Sequence, residues 1–392
     1  MSRIPYCFYG VLYLGKWANQ TERRWAIANM IELAQSEAGI PITPDDFDAD
    51  PFLFNAVNGI IDLQTGEIRP HRREDLITKI SPVEYDPDAK APLFESWLLQ
   101  MMNGDASLVD FLQRAIGYSL TGDIREHALF ICYGTGSNGK STLTRLILDM
   151  LGDYGMTTAV ESLMVRRQEQ ISTDIARLKG ARFVAASETE EGRRLAESKI
   201  KAMTGGDRLV ARFLFSKEFE YDPQFKLWIS ANHKPLIRGT DTGIWRRIRL
   251  VPFVVTIPDD KQDKTLISKL REELPGILAW AIRGCLKWQD AGLPEVKAVK
   301  EATYSYQREM DMLTDFLEDR RIRGSGLQVG SEHLYKTFRS WAEANGEGQI
   351  MTQKAFTNRL TEKGFQKFSN RRGAFWVDLG LKTEDEEQCD GL

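Results

Sequence analysis

The 392-residue sequence has few cysteines and no long hydrophobic run, and each absence excludes a class of protein. The four cysteines are widely separated and form no C-x-x-C pair, which argues against a zinc ribbon or a disulfide framework and fits a reducing cytosol. No apolar run reaches the roughly 20 residues that cross a bilayer. The apolar segment at residues 6–14 is short, aromatic and without a small-residue cleavage site, so we expect folded structure there and not a signal peptide. These absences predict a cytoplasmic protein with no membrane partner.

A strong net charge is also missing. Lys and Arg total 52 and Asp and Glu total 56, so the chain carries −4 and lacks the basic coat of a small nucleic-acid-binding protein. The charge is unevenly spread, however. Residues 161–250 contain 18 basic and 12 acidic residues, a local charge of +6, which leaves −10 for the rest of the chain. The excess is densest at residues 193–217, so a polyanion would meet positive charge on one segment only.

The composition, with 42% apolar and 28% charged residues, is that of a globular protein, and the length suggests two or three domains. We predict an N-terminal α+β domain that includes a helix at Thr21–Gln35 and short strands around the turns Asn58-Gly59 and Thr65-Gly66. A helical stretch at about Leu93–Tyr118 leads into the centre of the chain. The predicted boundaries are 1–92 (N-terminal domain), 93–125 (helical linker), 126–290 (central domain), 291–310 (helical linker), 311–381 (winged helix) and 382–392 (acidic disordered tail).

The central domain alternates apolar runs with helical segments. The runs lie at Ala128–Tyr133, Arg182–Ser187, Phe225–Ser230 and Ile248–Thr256. This alternation predicts an α/β domain with a largely parallel sheet. The last domain has helix-like segments at 312–319, 332–344 and 353–363, followed by a hairpin at 365–379, and this order predicts a winged helix.

One motif in the central domain matches a phosphate-binding loop (P-loop) at every fixed position. The segment GTGSNGKS at 134–141 fits G-x-x-x-x-G-K-[ST], and it follows an apolar strand and precedes a helix. Glycines let backbone N–H groups surround phosphates, the lysine reaches the β- and γ-phosphates, and the serine hydroxyl binds Mg²⁺. The predicted cofactors are therefore ATP and Mg²⁺. The predicted nucleotide-binding residues are Gly134, Thr135, Gly136, Ser137, Asn138, Gly139, Lys140, Ser141 and Thr142.

Three further segments supply candidate partners for the P-loop. Glu188 and Glu190 follow the strand RFVAAS, and either could act as general base; Glu188 is also a candidate to hold Mg²⁺ with Ser141. Asn232 follows the strand FKLWIS, where an amide could orient the attacking water. Arg246 and Arg247 lie in the run WRRIR, and either could neutralise charge on the γ-phosphate as an arginine finger.

These elements, in this order, resemble the superfamily III helicases. The resemblance is closest to the phage and plasmid primase-helicases, the group that includes the satellite-phage and poxvirus enzymes. The segments that carry it are GTGSNGKS (134–141), LKGARFVAASETEEGRRL (178–195), KAMTGGDRL (201–209), KLWISANHKP (226–235) and GIWRRIRLVPF (243–253). Upstream, NAVNGIIDLQTGEIRPH (55–71) and YDPDAKAPLFESWL (85–98) extend it over most of the chain.

The resemblance implies an AAA+-related fold, a homo-hexameric ring and ATP-driven 3′→5′ translocation on single-stranded DNA in a central channel. It implies that the arginine finger acts on the ATP of the neighbouring subunit, and that a β-hairpin between the acid and Asn232 carries DNA-contacting residues. The segment Leu209–Tyr221 reads as that hairpin, with Lys217 near its tip and Lys199 and Lys201 just upstream. Such a protein would replicate a phage, prophage or plasmid in a bacterial cytoplasm or nucleoid.

Two features qualify the resemblance. The family usually has a primase module upstream, but the acid run Asp46–Asp50 lies in a Pro-flanked loop and not on an apolar strand, which does not favour a polymerase site. We therefore expect priming by a separate protein, or by a part of the gene outside this chain. The winged helix would bind duplex DNA through Lys367, Arg371 and Arg372, or dock a replication protein, and the sequence does not choose between them.

Two other functions compete with the helicase. A P-loop NTPase of another class, such as a small-molecule kinase or a signalling NTPase, would share the phosphate loop, although the ordered acid, Asn and double-Arg motifs argue against it. A non-catalytic origin-binding replication factor would use the terminal domain alone, and the intact P-loop argues against that.

Overall fold

The computed structural model describes residues 16–37, 39–165, 173–187, 193–213, 216–237, 242–345, 350–371 and 373–382. It divides into two compact units. The smaller unit comprises residues 1–50 and 71–79, and the larger one comprises residues 51–70 and 80–392. The predicted N-terminal domain therefore contributes to both units. The segment 6–14 and the acidic tail from residue 383 lie outside the described residues.

The smaller unit contains helix α1 (Arg24–Ala34), which confirms the predicted helix. Its apolar side does not form a core, since Trp25 is 59% and Met30 63% exposed. Acidic side chains of the run at residues 46–50 accept hydrogen bonds from residues of the same unit. Asp46 accepts hydrogen bonds from Thr43, and Asp48 accepts one from the backbone N–H of Thr78 at 2.8 Å. Within the described residues, no three His, Cys, Asp or Glu side chains are grouped as a metal site would require.

The larger unit begins with an antiparallel sheet of β1 (Leu53–Ala56), β2 (Gly59–Asp62) and β3 (Glu67–Arg69), as the two turn signals predicted. Two helices follow, α2 (Pro92–Met101) and α3 (Ala106–Leu120), where the sequence suggested one stretch. Asn103 and Gly104 separate them because both adopt positive φ, and Asp105 then caps α3 through the N–H groups of Ser107 and Leu108.

The central sheet has five parallel strands in the order β10-β4-β9-β6-β5. Four of them match the predicted runs: β4 (Leu129–Tyr133), β6 (Phe183–Ser187), β9 (Lys226–Ala231) and β10 (Ile248–Pro252). The fifth, β5 (Gly155–Ala159), is an edge strand that the sequence analysis missed, because GMTTA has no apolar run. The α/β class with a parallel sheet is confirmed.

Helices and a hairpin surround this sheet. Helix α4 (Lys140–Leu151) follows β4, the short α5 (Thr173–Ala176) precedes β6, and α6 (Glu197–Gly205) leads into the hairpin of β7 (Leu209–Arg212) and β8 (Glu218–Tyr221). The predicted hairpin is thus present. Helix α7 (Thr242–Trp245) precedes β10, and α8 (Leu266–Glu272), α9 (Leu274–Ala291) and α10 (Lys297–Glu309) follow it.

The C-terminal part has its own core. It comprises α11 (Met312–Arg320), β11 (Arg321–Gly330), α12 (Ser331–Ala344), α13 (Gln353–Glu362), β12 (Lys367–Asn370) and β13 (Gly373–Leu381). The strands form an antiparallel sheet in the order β11-β13-β12, and Phe316, Phe338, Leu360 and Trp376 are buried between sheet and helices. The three predicted helices and the hairpin are confirmed. Strand β11 was not predicted, and the winged-helix assignment stays a prediction.

None of the helices in the described part of the chain is both long and apolar enough to span a bilayer. The longest, α9, instead packs against α3 in the main core. The two helices approach so closely that a Cβ on Gly117 would lie 2.2 Å from the backbone nitrogen of Cys285, and one on Gly284 would lie 2.1 Å from the carbonyl oxygen of Gln113.

We expect Gly117→Ala to destabilise the protein, because the added methyl group would meet backbone atoms of α9 that cannot rotate away. The free energy of unfolding should fall by about 1–3 kcal/mol, the usual cost of overpacking a core. Chemical denaturation measures it. Gly330→Ala is the control, since its Cβ would meet its nearest atom at 4.0 Å and its φ is −62°. Equal stability of the two variants would contradict the close helix contact.

Candidate nucleotide site

The P-loop lies at the carboxyl end of the central sheet. Residues 134–139 connect β4 with α4, and β4 has β9 on one side and β10 on the other. Tyr133, the last residue of β4, is in register with Ala231 of β9 and with Pro252 of β10. The N–H of Gly134 donates to the carbonyl of Ala231 at 3.3 Å, and the N–H of Phe253 donates to that of Tyr133 at 2.7 Å. Both neighbouring strands therefore fix where the loop begins.

Lys140 is held inside the loop by the loop itself. Its Nζ donates to the carbonyl oxygen of Gly134 at 2.6 Å and to Oδ1 of Asn138 at 2.8 Å. The residue is buried, and this desolvation lowers its pKa below the ordinary lysine value. Asn138 is anchored in turn, since its Nδ2 donates to the carbonyl of Phe253 at 3.1 Å. The ammonium is thus placed in advance at the centre of the anion site.

Two loop glycines are required by contact. A Cβ on Gly134 would lie 2.2 Å from both Nδ2 of Asn138 and the carbonyl oxygen of Phe253. Gly139 has a φ of +84°, and a Cβ there would lie 2.9 Å from the side chains of Trp97 and Met101. The fixed glycines of the motif therefore have a packing reason as well as a conformational one.

The first turn of α4 has the groups that a phosphate and Mg²⁺ need. Ser141 is exposed and Thr142 half-buried, and the helix directs its N-terminal N–H groups to the same place. Thr135, Gly136 and Ser137 form the accessible rim of the loop. A cavity of about 450 Å³ adjoins Ser141 and lies between α4 and the ends of β5 and β6. The residues present therefore fit a nucleotide phosphate with its Mg²⁺.

The candidate acids cannot be placed. Strand β6 ends at Ser187, which borders the same cavity, and Glu188 and Glu190 lie outside the described residues. Their assignment as general base, and that of Glu188 as a Mg²⁺ ligand, stays a prediction.

Asn232 lies where the sequence suggested. It is exposed and follows Ala231 directly, at the end of the strand that is next to the P-loop strand. Inside the same region, the Thr144 hydroxyl of α4 and the Ser230 hydroxyl of β9 are 3.0 Å apart. Lys234 is committed to Glu309 through two contacts of 2.7 Å. Asn232 therefore lies at the carboxyl end of the strand beside the P-loop strand, and its role toward a phosphate stays a prediction.

The two candidate finger residues differ sharply in their surroundings. Arg247 is 8% exposed; its Nε donates to Oγ1 of Thr204 at 3.1 Å and its Nη1 to the carbonyl of Gly243 at 2.6 Å. Arg246 is exposed, and its carbonyl accepts a hydrogen bond from Nη1 of Arg249 at 2.7 Å. The side chain of Arg247 is held inside its own subunit, whereas that of Arg246 can reach outward.

Arg246 also lies at the amino end of β10, whereas the P-loop lies at the carboxyl end of the sheet. Arg246 therefore lies at the opposite edge of the sheet from the P-loop of its own chain.

The candidate DNA-binding residues occupy two regions. Lys217 is exposed next to the start of β8, and Lys199 and Lys201 are half-buried on α6. Phe213, beside Arg212 on the hairpin, is 46% exposed and stacks on Phe219 with ring centroids 5.5 Å apart. The sequence analysis passed over this aromatic, although an aromatic beside basic residues in a hairpin is a signal for a stacking platform.

The second region is the hairpin of the C-terminal part. Lys367 and Arg371 are exposed there, and the ammonium of Lys367 lies 5.6 Å from the Trp376 ring centroid. Arg372 lies outside the described residues. The structure separates these residues from the P-loop and joins them to α13 by the loop 363–366.

Sequence reasoning also missed groups that have no motif of their own. The carbonyl of Phe253 and the segment behind it hold the P-loop, as the N–H of Ile257 donates to the carbonyl of Ser137 at 2.9 Å. Thr204, the partner of Arg247, lies 43 positions away in the sequence. Such contacts follow from the order of strands and not from spacing along the chain.

Three family models match the sequence. "D5 N terminal like" matches residues 13–103, "Family of unknown function (DUF5906)" matches residues 132–247, and "Poxvirus D5 protein-like" matches residues 308–388. The second match contains the P-loop, Asn232 and both candidate finger arginines. The three matches together follow the order of the N-terminal, central and C-terminal parts of the chain.

Curated relatives come from large DNA viruses. "Putative helicase L207/L206" of Acanthamoeba polyphaga mimivirus is 26% identical over 363 residues, which cover 86% of this chain and 38% of that protein. "Putative helicase 022R" of Frog virus 3 is 26% identical over 386 residues, covering 77% of this chain and 40% of that protein. "Putative primase C962R" of African swine fever virus (isolate Warthog/Namibia/Wart80/1980) is 25% identical over 331 residues, which cover 76% of this chain and 34% of that protein. The chain spans about two fifths of the length of the curated relatives it matches.

Among solved structures, "The A form apo structure of NrS-1 C terminal region-CTR" matches with a TM-score of 0.48 and 13% sequence identity, covering 84% of this chain and 96% of that one. A TM-score below 0.5 does not establish a common fold, and the α/β assignment rests on the strand order described above. The family matches and the viral relatives agree with the ordered motifs. These matches confirm the resemblance of this chain to the primase-helicase type of superfamily III.

Proposed function

We propose that this chain is an ATP-hydrolysing DNA helicase that forms a ring and translocates 3′→5′ on single-stranded DNA. The observation that carries the proposal is the position of one hairpin. Strands β7 and β8 are inserted between the strand that precedes Glu188 and the strand that precedes Asn232, so an aromatic hairpin that carries Arg212 and Lys217 is built into the nucleotide-binding unit itself. A nucleotide-dependent movement of this unit would carry the hairpin with it.

The proposed roles at the phosphate site combine the geometry of the P-loop with the motifs that follow it. Lys140 binds the β- and γ-phosphates, and Ser141 with Glu188 holds Mg²⁺, which neutralises phosphate charge when it is bound. Glu188 or Glu190 accepts the proton of the attacking water. Asn232, one strand away from the P-loop strand, orients that water. The bonds that Lys140 makes to Gly134 and Asn138 keep its ammonium in place, so little reorganisation is needed when phosphate arrives.

The outcome of Lys140→Ala tests the proposed motor against both alternatives. We expect wild-type protein to hydrolyse ATP faster with oligo-dT single strands than without, and the variant to lose at least about 100-fold of its activity in both conditions, because an electrostatic partner of the phosphates is gone. A coupled phosphate-release assay measures both rates. The exposed Lys336→Ala is the matched control.

A wild-type rate of ATP hydrolysis that is the same with and without DNA would favour a kinase or signalling NTPase. DNA binding without hydrolysis would favour a non-catalytic replication factor.

Arg246 is the proposed arginine finger, and it acts on the ATP of the neighbouring subunit. Its exposure supports this choice over the buried Arg247, and its place before β10, at the edge of the sheet away from the P-loop, supports action on another subunit. The same geometry supports a ring, since each subunit then offers its finger to one neighbour and receives another in a head-to-tail interface. The resemblance sets the proposed number of subunits at six.

Arg246→Ala should lower kcat by about 10³-fold or more, the usual effect of losing a finger that acts in trans. Co-expression of Arg246→Ala with Lys140→Ala subunits at equal amounts should restore activity to about one quarter of wild type, because one interface in four then pairs an intact P-loop with an intact arginine. Each variant expressed alone is the control. Mixed rings that stay as inactive as the single variants would rule out action across the interface.

The hairpin supplies the proposed contact to single-stranded DNA. Lys217 would meet phosphates, Phe213 offers a face for base stacking, and Lys199 and Lys201 add charge on the helix that leads to the hairpin. This region is the positive part of an otherwise acidic chain, which would confine DNA to the channel of the ring.

We propose duplex DNA as the partner of the C-terminal domain, in preference to a replication protein. Charge within this domain is segregated. Residues 352–377 contain six Lys or Arg and one Glu, whereas residues 311–351 contain five Lys or Arg and seven Asp or Glu. Helix α13 exposes Gln353, Lys354 and Asn358 on one face, and the β12–β13 hairpin exposes Lys367 and Arg371. Amides and basic groups of this kind read base edges and phosphates.

A double substitution of Lys367 and Arg371 by alanine removes two of the proposed phosphate contacts. The slope of log K against log salt for duplex DNA should become shallower by about 2, and affinity at low salt should fall about tenfold. Fluorescence anisotropy with a labelled duplex measures both. The matched control replaces Lys336 and Arg339, which belong to the same domain and pair with Glu332 and Glu343. An unchanged slope would point to protein docking at this surface.

The protein would work with a separate primase during replication of a phage, prophage or plasmid, in the cytoplasm or nucleoid of a bacterial host.

A further inference from the structure

Arg247 joins two elements that are distant in the sequence. It follows Arg246 directly, yet its guanidinium turns inward and reaches α6. Its Nε donates to Oγ1 of Thr204, and its Nη1 donates to the carbonyl of Gly243 at the start of α7. Its backbone carbonyl accepts a hydrogen bond of 2.8 Å from the N–H of Leu129, the first residue of β4. One residue thus connects α6, α7 and the strand that leads to the P-loop.

The hydroxyl of Thr204 acts as a hydrogen-bond acceptor toward Arg247. Its Oγ1 donates its proton to the carbonyl of Ile200 at 2.7 Å, which leaves the oxygen to accept from Nε. Its backbone carbonyl is 2.8 Å from Nδ1 of His127, just before β4. Thr204 is 3% exposed, so water cannot replace the arginine without opening the core.

The two ends of this link lead to two proposed activities. Thr204 is near the end of α6, and five residues later β7 begins the hairpin that carries Lys217. Arg247 is the neighbour of Arg246, whose own carbonyl is fixed from the other side by Arg249. A displacement of α6 would therefore first move the backbone at Arg247. The exposed side chain of Arg246 follows from the adjacent residue.

We propose that Arg247 and Thr204 are positioning residues that couple the DNA-contacting hairpin to the arginine finger. DNA on the hairpin shifts α6, the Thr204–Arg247 hydrogen bond transmits the shift, and Arg246 moves toward or away from the ATP of the neighbouring subunit. This inference rests on the proposed function, and it gives the second arginine of the WRR run a role distinct from that of the first.

The decisive variant is Thr204→Val, which keeps the shape of the side chain and removes the acceptor of Nε. We expect basal ATP hydrolysis within about twofold of wild type and a stimulation by oligo-dT that is about three- to tenfold weaker, the loss typical of one hydrogen bond. Affinity for oligo-dT should stay unchanged, since no DNA contact is touched. Lys217→Ala should differ, as it should lower that affinity.

Two further variants separate coupling from stability. Thr204→Ser keeps the hydroxyl and should restore stimulation. Arg247→Lys keeps the charge but not the Nε donor, and should weaken stimulation in the same way as Thr204→Val. The double variant of Thr204→Val with Arg247→Lys should be stimulated no less than the more severe of the two single variants. Thr121→Val is the control for loss of a buried hydroxyl, since that hydroxyl bonds to Tyr118 at the end of α3, far along the chain from both elements.

Full stimulation in Thr204→Val and Arg247→Lys, with a wild type that responds to DNA, would overturn the coupling alone. A Thr121→Val variant that loses stimulation equally would also overturn it. A wild type that ignores DNA would overturn the proposed function together with it.

Discussion

Parallel pairing of β4 with β9 and β10 is the constraint on which the site depends. It sets the P-loop between two strand ends, so that backbone groups of Ala231 and Phe253 fix the loop before any ligand arrives. The same pairing puts Asn232 next to the loop. Because all five strands point the same way, their carboxyl ends collect at one edge of the sheet, where the P-loop lies.

Burial resolves a choice that sequence leaves open. Arg246 and Arg247 are adjacent and chemically identical, and the run WRRIR does not distinguish them. In the fold, one is exposed and the other is enclosed by α6 and α7. Both residues lie in the turn between α7 and β10, and the path of this turn directs one side chain to solvent and the other into the core.

Much of the fold and part of the site were predictable. The P-loop, four central strands, the β7–β8 hairpin and the C-terminal helices all have local signals, namely apolar runs, turn residues and helical periodicity. The failures also have physical reasons. Strand β5 is short and polar because it forms an edge, β11 is rich in glycine, and the exposed apolar face of α1 had the periodicity of a helix that packs on a core. The partners of Lys140 and Arg247 come from distant segments and had no local signal at all.

The opposite placement of Arg246 and the P-loop has a consequence for the cell. About 16 Å of strand, the length of the five residues of β10, separates Arg246 from the P-loop of its own chain. On the proposed mechanism, a subunit that is alone can bind ATP but lacks the group that speeds its cleavage. Newly made, unassembled copies would therefore spare the nucleotide pool of the host, and ATP consumption would begin when subunits meet.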